Sequence, residues 1–379
     1  MINLFQPSAG EAEAAAISEV LRSNWIGTGE SVKRFESDFA SYIGCTSSDM
    51  AAIGSCTEGL FQSITALGLG AGDEVVMPTV SFLGAAHAVS SAGARVTLCD
   101  VDPLTLNPTV SHIERVASKA TKAVVILHYG GEPGDVRMIA ELARDRGWFL
   151  IEDTACGLGS FLNERACGTF GDIGVWSFDS MKVLTTGDGG MVWCRSDSVA
   201  EQIRVSIRLG VGSSGFDRRS AVAGWWKVDP SVTGRRGTMN NLAATMGCVQ
   251  LERLPAFLAR RREIAQAYDA ALSDIKWLRA PRRGTDAAKI FYWVQTKLRD
   301  SLALHMLDRG IYTSFRYWPL HRTSLYACDR AFPGADQAAA ETLLLPLHQG
   351  LSDTEVEAVI NAVHAFRGEF SLSRARDRG

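Results

Sequence analysis

The chain has 379 residues, 46% of them hydrophobic and 21% charged, with a formal net charge of -3 and a pI near 6.2. That much apolar material supports one large domain and a smaller one, and it excludes disorder for most of the chain. A slightly acidic balance offers no field for a run of phosphates, so the expected partner is a small molecule and not nucleic acid.

Eight cysteines, at positions 45, 56, 99, 156, 167, 194, 248 and 328, include no CxxC pair, and the opening MINLFQPSAGEAEAA has no basic stretch followed by an apolar one. Reduced thiols and a cytoplasmic location are therefore expected. No apolar run approaches the roughly 18 residues of a membrane span, so no membrane contact is expected.

In chain order, short β-rich runs alternate with helical stretches from residue 50 to about 195. The predicted strands are Met50 to Ile53, Glu74 to Met77, Arg95 to Asp100, Ala123 to His128, Phe149 to Asp153, Gly174 to Phe178 and Gly190 to Cys194. The alternation predicts an α/β fold, a large domain whose central sheet is mostly parallel and flanked by helices. From Asn240 a helical pattern continues through LERLPAFLARRREIAQAYDAALSDI into a smaller α+β unit. The expected boundaries are 1–245 for the large domain with an N-terminal arm, 246–370 for the C-terminal domain, and 371–379 for a frayed tail.

Ligands of such sheets bind beyond the carboxyl ends of the strands, which directs attention to the polar residues there. Lys182 lies in WSFDSMKVLTTGDGG, between a strand end and a Gly-rich turn. A solvated lysine is the plain alternative, and its company decides between the two. Asp153 closes the apolar run WFLIED, where a buried carboxylate is costly without a cation. A protonated pyridine nitrogen is such a cation, and enzymes using pyridoxal phosphate (PLP) pair it with an acid because the positive ring is the electron sink. An N-cap or a metal ligand is the other use of Asp153; beyond Glu152 nothing stands at ligand spacing, so no metal is expected.

GSCTEGLFQSITALGLG reads as a turn opening a helix, an anion site for a cofactor phosphate, with Ser177 as a further hydroxyl. Phe82, after the second strand, stacks on a flat ring or packs in the core. The Gly-rich TTGDGGM does not follow a first strand as GxGxxG and opens no helix, so a dinucleotide site is not expected.

These residues sit in a frame that resembles the DegT/DnrJ/StrS family of PLP-dependent aminotransferases, of the aspartate aminotransferase fold type I. The matching stretches run from about Ser23 to about Phe366: WIGTGESVKRFESDFASYIG, GDEVVMPTVSF, IEDTACGLGS, GTFGDIGVWSF, KVLTTGDGGM, MNNLAATMGCVQLERL and YWPLH. The resemblance implies that Lys182 holds PLP as a Schiff base, Asp153 pairs with the pyridine nitrogen and Phe82 covers the ring. It also implies that the Thr57 and Glu58 amides with Ser177 hold the phosphate. Homodimers with shared active sites are implied, as is transfer of an amino group from glutamate or glutamine to a keto sugar, nucleotide-linked in most members.

Two departures stand out. Cys156 replaces the usual Gln, His or Glu beside the ring, and a thiol is only a weak hydrogen-bond donor. GRRGTM, residues 234 to 239, replaces a pattern like GYNYRM, so that Arg236 takes the place of an asparagine that reaches the partner's phosphate. An arginine there binds phosphate bidentately, reads an anionic substrate, or stays in solvent. In YTSFRYWPLHRTSLY, Arg316, Tyr317 and His321 are expected beside the substrate. The alternatives are a same-fold enzyme of different outcome, such as a dehydratase, deaminase or C–C bond enzyme, and a non-catalytic regulatory homologue.

Overall fold

A computed structural model describes residues 1–212, 226, 228–280 and 287–367; the tail expected over 371–379 and the last residues of the expected C-terminal domain lie outside these. All seven predicted strands of the large unit form: β1 (Met50–Ile53), β2 (Glu74–Pro78), β3 (Arg95–Cys99), β4 (Thr121–Leu127), β5 (Phe149–Asp153), β8 (Ile173–Ser177) and β9 (Gly190–Cys194). Between β5 and β8 a small hairpin pairs β6 (Phe161–Leu162) with β7 (Arg165–Ala166).

The sheet order is β1-β9-β8-β5-β4-β2-β3. Every neighbouring pair is parallel except those involving β9, which runs antiparallel to both β1 and β8. Only a turn, with no crossover helix, joins β8 to β9, and without a crossover the chain can only come back antiparallel. The apolar runs of β2, β4 and β5 divide with a period of two. Val75, Met77, Ala123, Val125, Leu127 and Ile151 enter the main core on one face, and Val76, Val124, Ile126 and Leu150 a second core on the other. Burial on both faces is why these strands read as unbroken apolar runs and not as alternations.

The helix Cys56–Ala66 follows β1 and lies hard against the sheet. Gly59 makes this approach possible: a Cβ there would stand 2.4 Å from Ile53 Cδ1, 2.7 Å from Val175 and 3.0 Å from Val192. A 32-residue helix, Asn241–Leu272, then leaves the large unit. Its Leu251, Leu254, Phe257 and Leu258 pack in the main core, while Ile264, Ala265, Tyr268 and Leu272 pack in a third core. That third core is covered by β10 (Tyr292–Gln295), antiparallel to β11 (Thr342–Leu345), and by the helices Arg299–Asp308 and Asp353–Ala365. The passage from one core to the other thus falls inside a helix, between residues 258 and 264. None of the helices described is long and apolar enough to cross a membrane.

Gly59→Val forces three carbons into the contact between this helix and β1, β8 and β9. A loss of about 1–3 kcal/mol is expected, visible as a lower urea midpoint at unchanged slope.

Candidate active site

The parallel register brings the carboxyl ends of β1, β2, β4, β5 and β8 to one edge of the sheet, and the functional side chains come from there. Asp153 ends β5 and is only 1% exposed. Its Oδ1 accepts from the Ala155 N–H at 3.1 Å and lies 4.0 Å from Cys56 Sγ, while Oδ2 has no hydrogen bond among the described residues. Burial pushes the Asp153 carboxyl up; the Ala155 N–H, then the charges of Lys182 and His128, pull it back. An acid held between these opposing influences is suited to face a cation that arrives with a ligand.

Beside it on the neighbouring strand ends lies a fully buried pair. His128 Nε2 stands 2.8 Å from Glu152 Oε2, which also accepts from the Gly168 N–H at 2.7 Å; Oε1 accepts from the Gly171 N–H at 2.6 Å. Since a carboxylate only accepts, Nε2 carries the proton. Burial alone would lower the His128 pKa, but the Cys167 thiol and the Glu152 carboxylate raise it well above the usual value.

Lys182 stands in the turn after β8, half-buried, with Nζ 3.8 Å from Cys156 Sγ. Cys156 is in turn 3.6 Å from the Tyr317 hydroxyl, and the Tyr317 ring packs 5.7 Å from that of Phe82 at 60°. Phe82 is 46% exposed, so a face of this large apolar ring is free for a ligand. Burial pushes the Tyr317 phenol far up, which keeps it protonated and able to donate. Lys182, Cys156, Tyr317 and Phe82 thus make one continuous wall.

At the β1 end, Ser55 caps the helix Cys56–Ala66, its Oγ accepting from the Glu58 N–H at 3.1 Å. The Glu58 amide is therefore satisfied, while those of Cys56 and Thr57 have no acceptor among the described residues. The Glu58 carboxylate points to Gln62 Nε2 at 2.6 Å and Arg235 Nε at 3.6 Å. Ser177, the last residue of β8, pairs across the ladder with Gly190, which pairs on its other side with Ile53. A Cβ on Gly190 would come within 2.8 Å of the Cys56 nitrogen, so the missing side chain lets the helix start close over the strand ends.

The other expected residues are more scattered. His321 has both ring nitrogens engaged, Nδ1 with Thr79 Oγ1 at 2.8 Å and Nε2 with Asp336 at 3.1 Å, and it stacks on Phe332 at 4.3 Å. Arg316 reaches Met181 Sδ at 3.4 Å and lies over the Phe5 ring, with no ion pair among the described residues. Arg236 is exposed, with a backbone bridge to Arg208, and it has no ion pair within the described part of its own chain. Sequence reasoning missed the His128–Glu152 pair and the contacts of Cys156 and Cys56; a histidine and an acid both at strand ends were the available signal.

The model of the DegT/DnrJ/EryC1/StrS aminotransferase family matches residues 7–364. The chain belongs to this family. It is 47% identical over 365 residues to a dTDP-4-dehydro-2,3,6-trideoxy-D-glucose 4-aminotransferase of Saccharopolyspora spinosa, with 95% of each chain covered. It is 30% identical to the GDP-perosamine synthase of Escherichia coli O157:H7, over 96% of this chain and 98% of that one. The crystal structure of the aminotransferase TlmJ from Streptoalloteichus hindustanus superposes with a TM-score of 0.92 at 50% identity, covering 96% of this chain and 98% of that one. The edge is compatible with PLP, the cofactor of this family: among the described residues it offers an amine next to a thiol, a carboxylate oxygen without a hydrogen bond, two amides without acceptors at a helix start and an exposed aromatic face. Among the described residues no cluster of three or more His, Cys, Asp or Glu is placed to hold a metal ion.

A histidine whose folded pKa is raised contributes stability that is complete below its unfolded value, about 6.5, and is lost as pH rises through the folded one. Glu152→Gln should therefore flatten the fall in unfolding free energy above neutral pH that the parent shows. Urea unfolding of both proteins from pH 6 to 9 measures this, and parallel curves would contradict the assignment.

Proposed function

We propose that this aminotransferase uses PLP to move an amino group from glutamate or glutamine to a keto sugar, one carried on a nucleotide. The observation that supports the reading is the convergence of Lys182 and Asp153 on one strand edge, with Lys182 Nζ 3.8 Å from Cys156 Sγ and in no ion pair among the described residues. A lysine in that place, free of a carboxylate partner among the described residues, is placed to bind a carbonyl carbon. The sugar-nucleotide names of the relatives, a dTDP-keto-sugar aminotransferase and a GDP-perosamine synthase, support the acceptor class.

PLP, when bound, supplies an electrophilic carbon and a cationic ring that takes up the electron pair released at the donor's Cα. Asp153 would face the ring nitrogen and favour its protonated form, and the charge of His128 favours the ionised form of Asp153. Lys182 would hold the cofactor through Nζ, and the same amine, when free, would carry the proton at the donor's Cα. The Cys56 and Thr57 amides and Ser177 Oγ would hold the phosphate, in place of the expected Thr57 and Glu58 pair, because Ser55 already takes the Glu58 N–H. Phe82 covers the ring. Cys156 and Tyr317 bound the space beside Lys182, and Arg316, with His321 behind, serves the anionic parts of donor and acceptor.

Arg236 would serve the phosphate of a second copy in a homodimer, since it is exposed and has no ion pair within the described part of its own chain. Two measurements test the reading. Lys182→Ala should lose the visible band of the bound cofactor and all release of 2-oxoglutarate from glutamate; full retention of either sinks it. Mixing Lys182→Ala chains with Arg236→Ala chains tests the shared site: both variants are expected to be weak alone. The mixture should recover roughly a quarter of parental activity, because half the dimers are mixed and each holds one intact site. No recovery would place Arg236 on its own chain's site or in solvent.

A further inference from the structure

The turn that carries Lys182 makes two contacts with side chains from outside the site. The Thr185 N–H donates to Gln250 Oε1 at 3.3 Å, and Gln349 Nε2 donates to the Val183 carbonyl at 3.3 Å. Gln250 lies on the helix Asn241–Leu272 and is fully buried, whereas Gln349 follows β11 in the smaller unit.

A charge fixes each glutamine's orientation. Gln250 Nε2 donates to Glu13 Oε1 at 2.7 Å and to the Ser8 carbonyl at 3.0 Å, so Oε1 must face the Thr185 N–H. Gln349 Oε1 accepts from Arg261 Nε at 2.8 Å, so Nε2 must face the Val183 carbonyl. Arg261 is 1% exposed and has no carboxylate partner among the described residues; Nη1 is held by the carbonyls of Lys289, Ile290 and Leu347 at 3.4, 3.2 and 3.0 Å. Turning either amide over would set like atoms against each other at both ends, an N–H on a guanidinium or an oxygen on a carboxylate. Each is thus locked by its distant partner.

We propose that Gln250 and Gln349 are positioning residues for Lys182. Together they clamp the turn, one by an N–H and the other by a carbonyl, and set where Nζ stands relative to a bound cofactor. Through them the first helix, Glu11–Ser23, and the smaller unit both register on the lysine. The inference rests on the reading that Lys182 holds PLP.

Gln349→Glu separates positioning from plain structural support. A glutamate can still accept from Arg261, now as an ion pair, so the thermal midpoint should hold or rise. It cannot donate to the Val183 carbonyl and repels it. The expected result is a folded protein whose bound-cofactor band loses most of its induced circular dichroism and whose kcat falls about tenfold or more with KM within twofold. In Gln250→Met, hydrogen exchange at the Thr185 amide of the cofactor-free protein should quicken at least tenfold, with the same dichroism loss after PLP is added. A folded Gln349→Glu with dichroism and kcat within twofold of the parent overturns the proposal; should that variant not fold, Gln250→Met with parental Thr185 exchange and dichroism does so. A parent that binds no PLP would instead overturn the reading of Lys182, so the two failures are told apart.

Discussion

Asp153 imposes the demand that the rest of the site answers. A carboxyl group at the dry end of a central strand is driven toward its neutral form, and this one is restrained by a single backbone N–H and by charges at a distance. It is ready for a cationic ring nitrogen and poorly served without one. Parallel pairing is what makes such an arrangement possible: every parallel strand ends at the same edge, so residues far apart in sequence arrive side by side. The Glu152–His128 pair, one residue along the same strand ends, adds a positive charge near Asp153 that Glu152 balances through Nε2, while Nδ1 is buried with no hydrogen-bond partner among the described residues.

The sheet was legible because strands buried on both faces must be apolar throughout, and all seven runs stood out. The mostly parallel direction was legible as well, from the helices that alternate with the strands; the antiparallel return of β9 was not expected, and only the short β8–β9 connection carries it. The positions of Asp153 and Ser177 were legible for a related reason, since each ends an apolar run, and Lys182 lies in the turn after one. The wall of Cys156, Tyr317 and Phe82 was not, because Cys156 and Tyr317 lie 161 positions apart and no local pattern joins them. The Glu58 amide shows a signal that was present and unused. Ser55 stands three residues before Glu58, the spacing at which an N-cap hydroxyl takes the N3 amide, so that amide was already committed to the helix.

Cys156 also gains a physical meaning from its surroundings. A larger amide at that position would bring a strong donor and acceptor up against Lys182 Nζ and the Tyr317 hydroxyl. The thiol is smaller and a weaker hydrogen-bonding group, so it competes little for the amine and leaves the phenol as the stronger donor in reach. Space and hydrogen-bonding capacity both pass from residue 156 to the ligand.

The glutamine contacts extend this logic beyond the wall. A charged side chain placed directly on the turn would hold it more strongly, but its field would fall on Lys182, whose chemistry depends on losing and regaining a proton. An amide avoids that conflict: it is neutral where it meets the turn and takes its orientation from a charge on its far side, Glu13 for Gln250 and Arg261 for Gln349. The two charges are opposite in sign, so the two amides present opposite ends, and the turn is gripped by one N–H and one carbonyl without a net charge beside the amine. The buried Arg261, costly as a cation with no carboxylate partner among the described residues and with its pKa pulled down to about 9 by burial, has a role in this arrangement that packing alone does not give it.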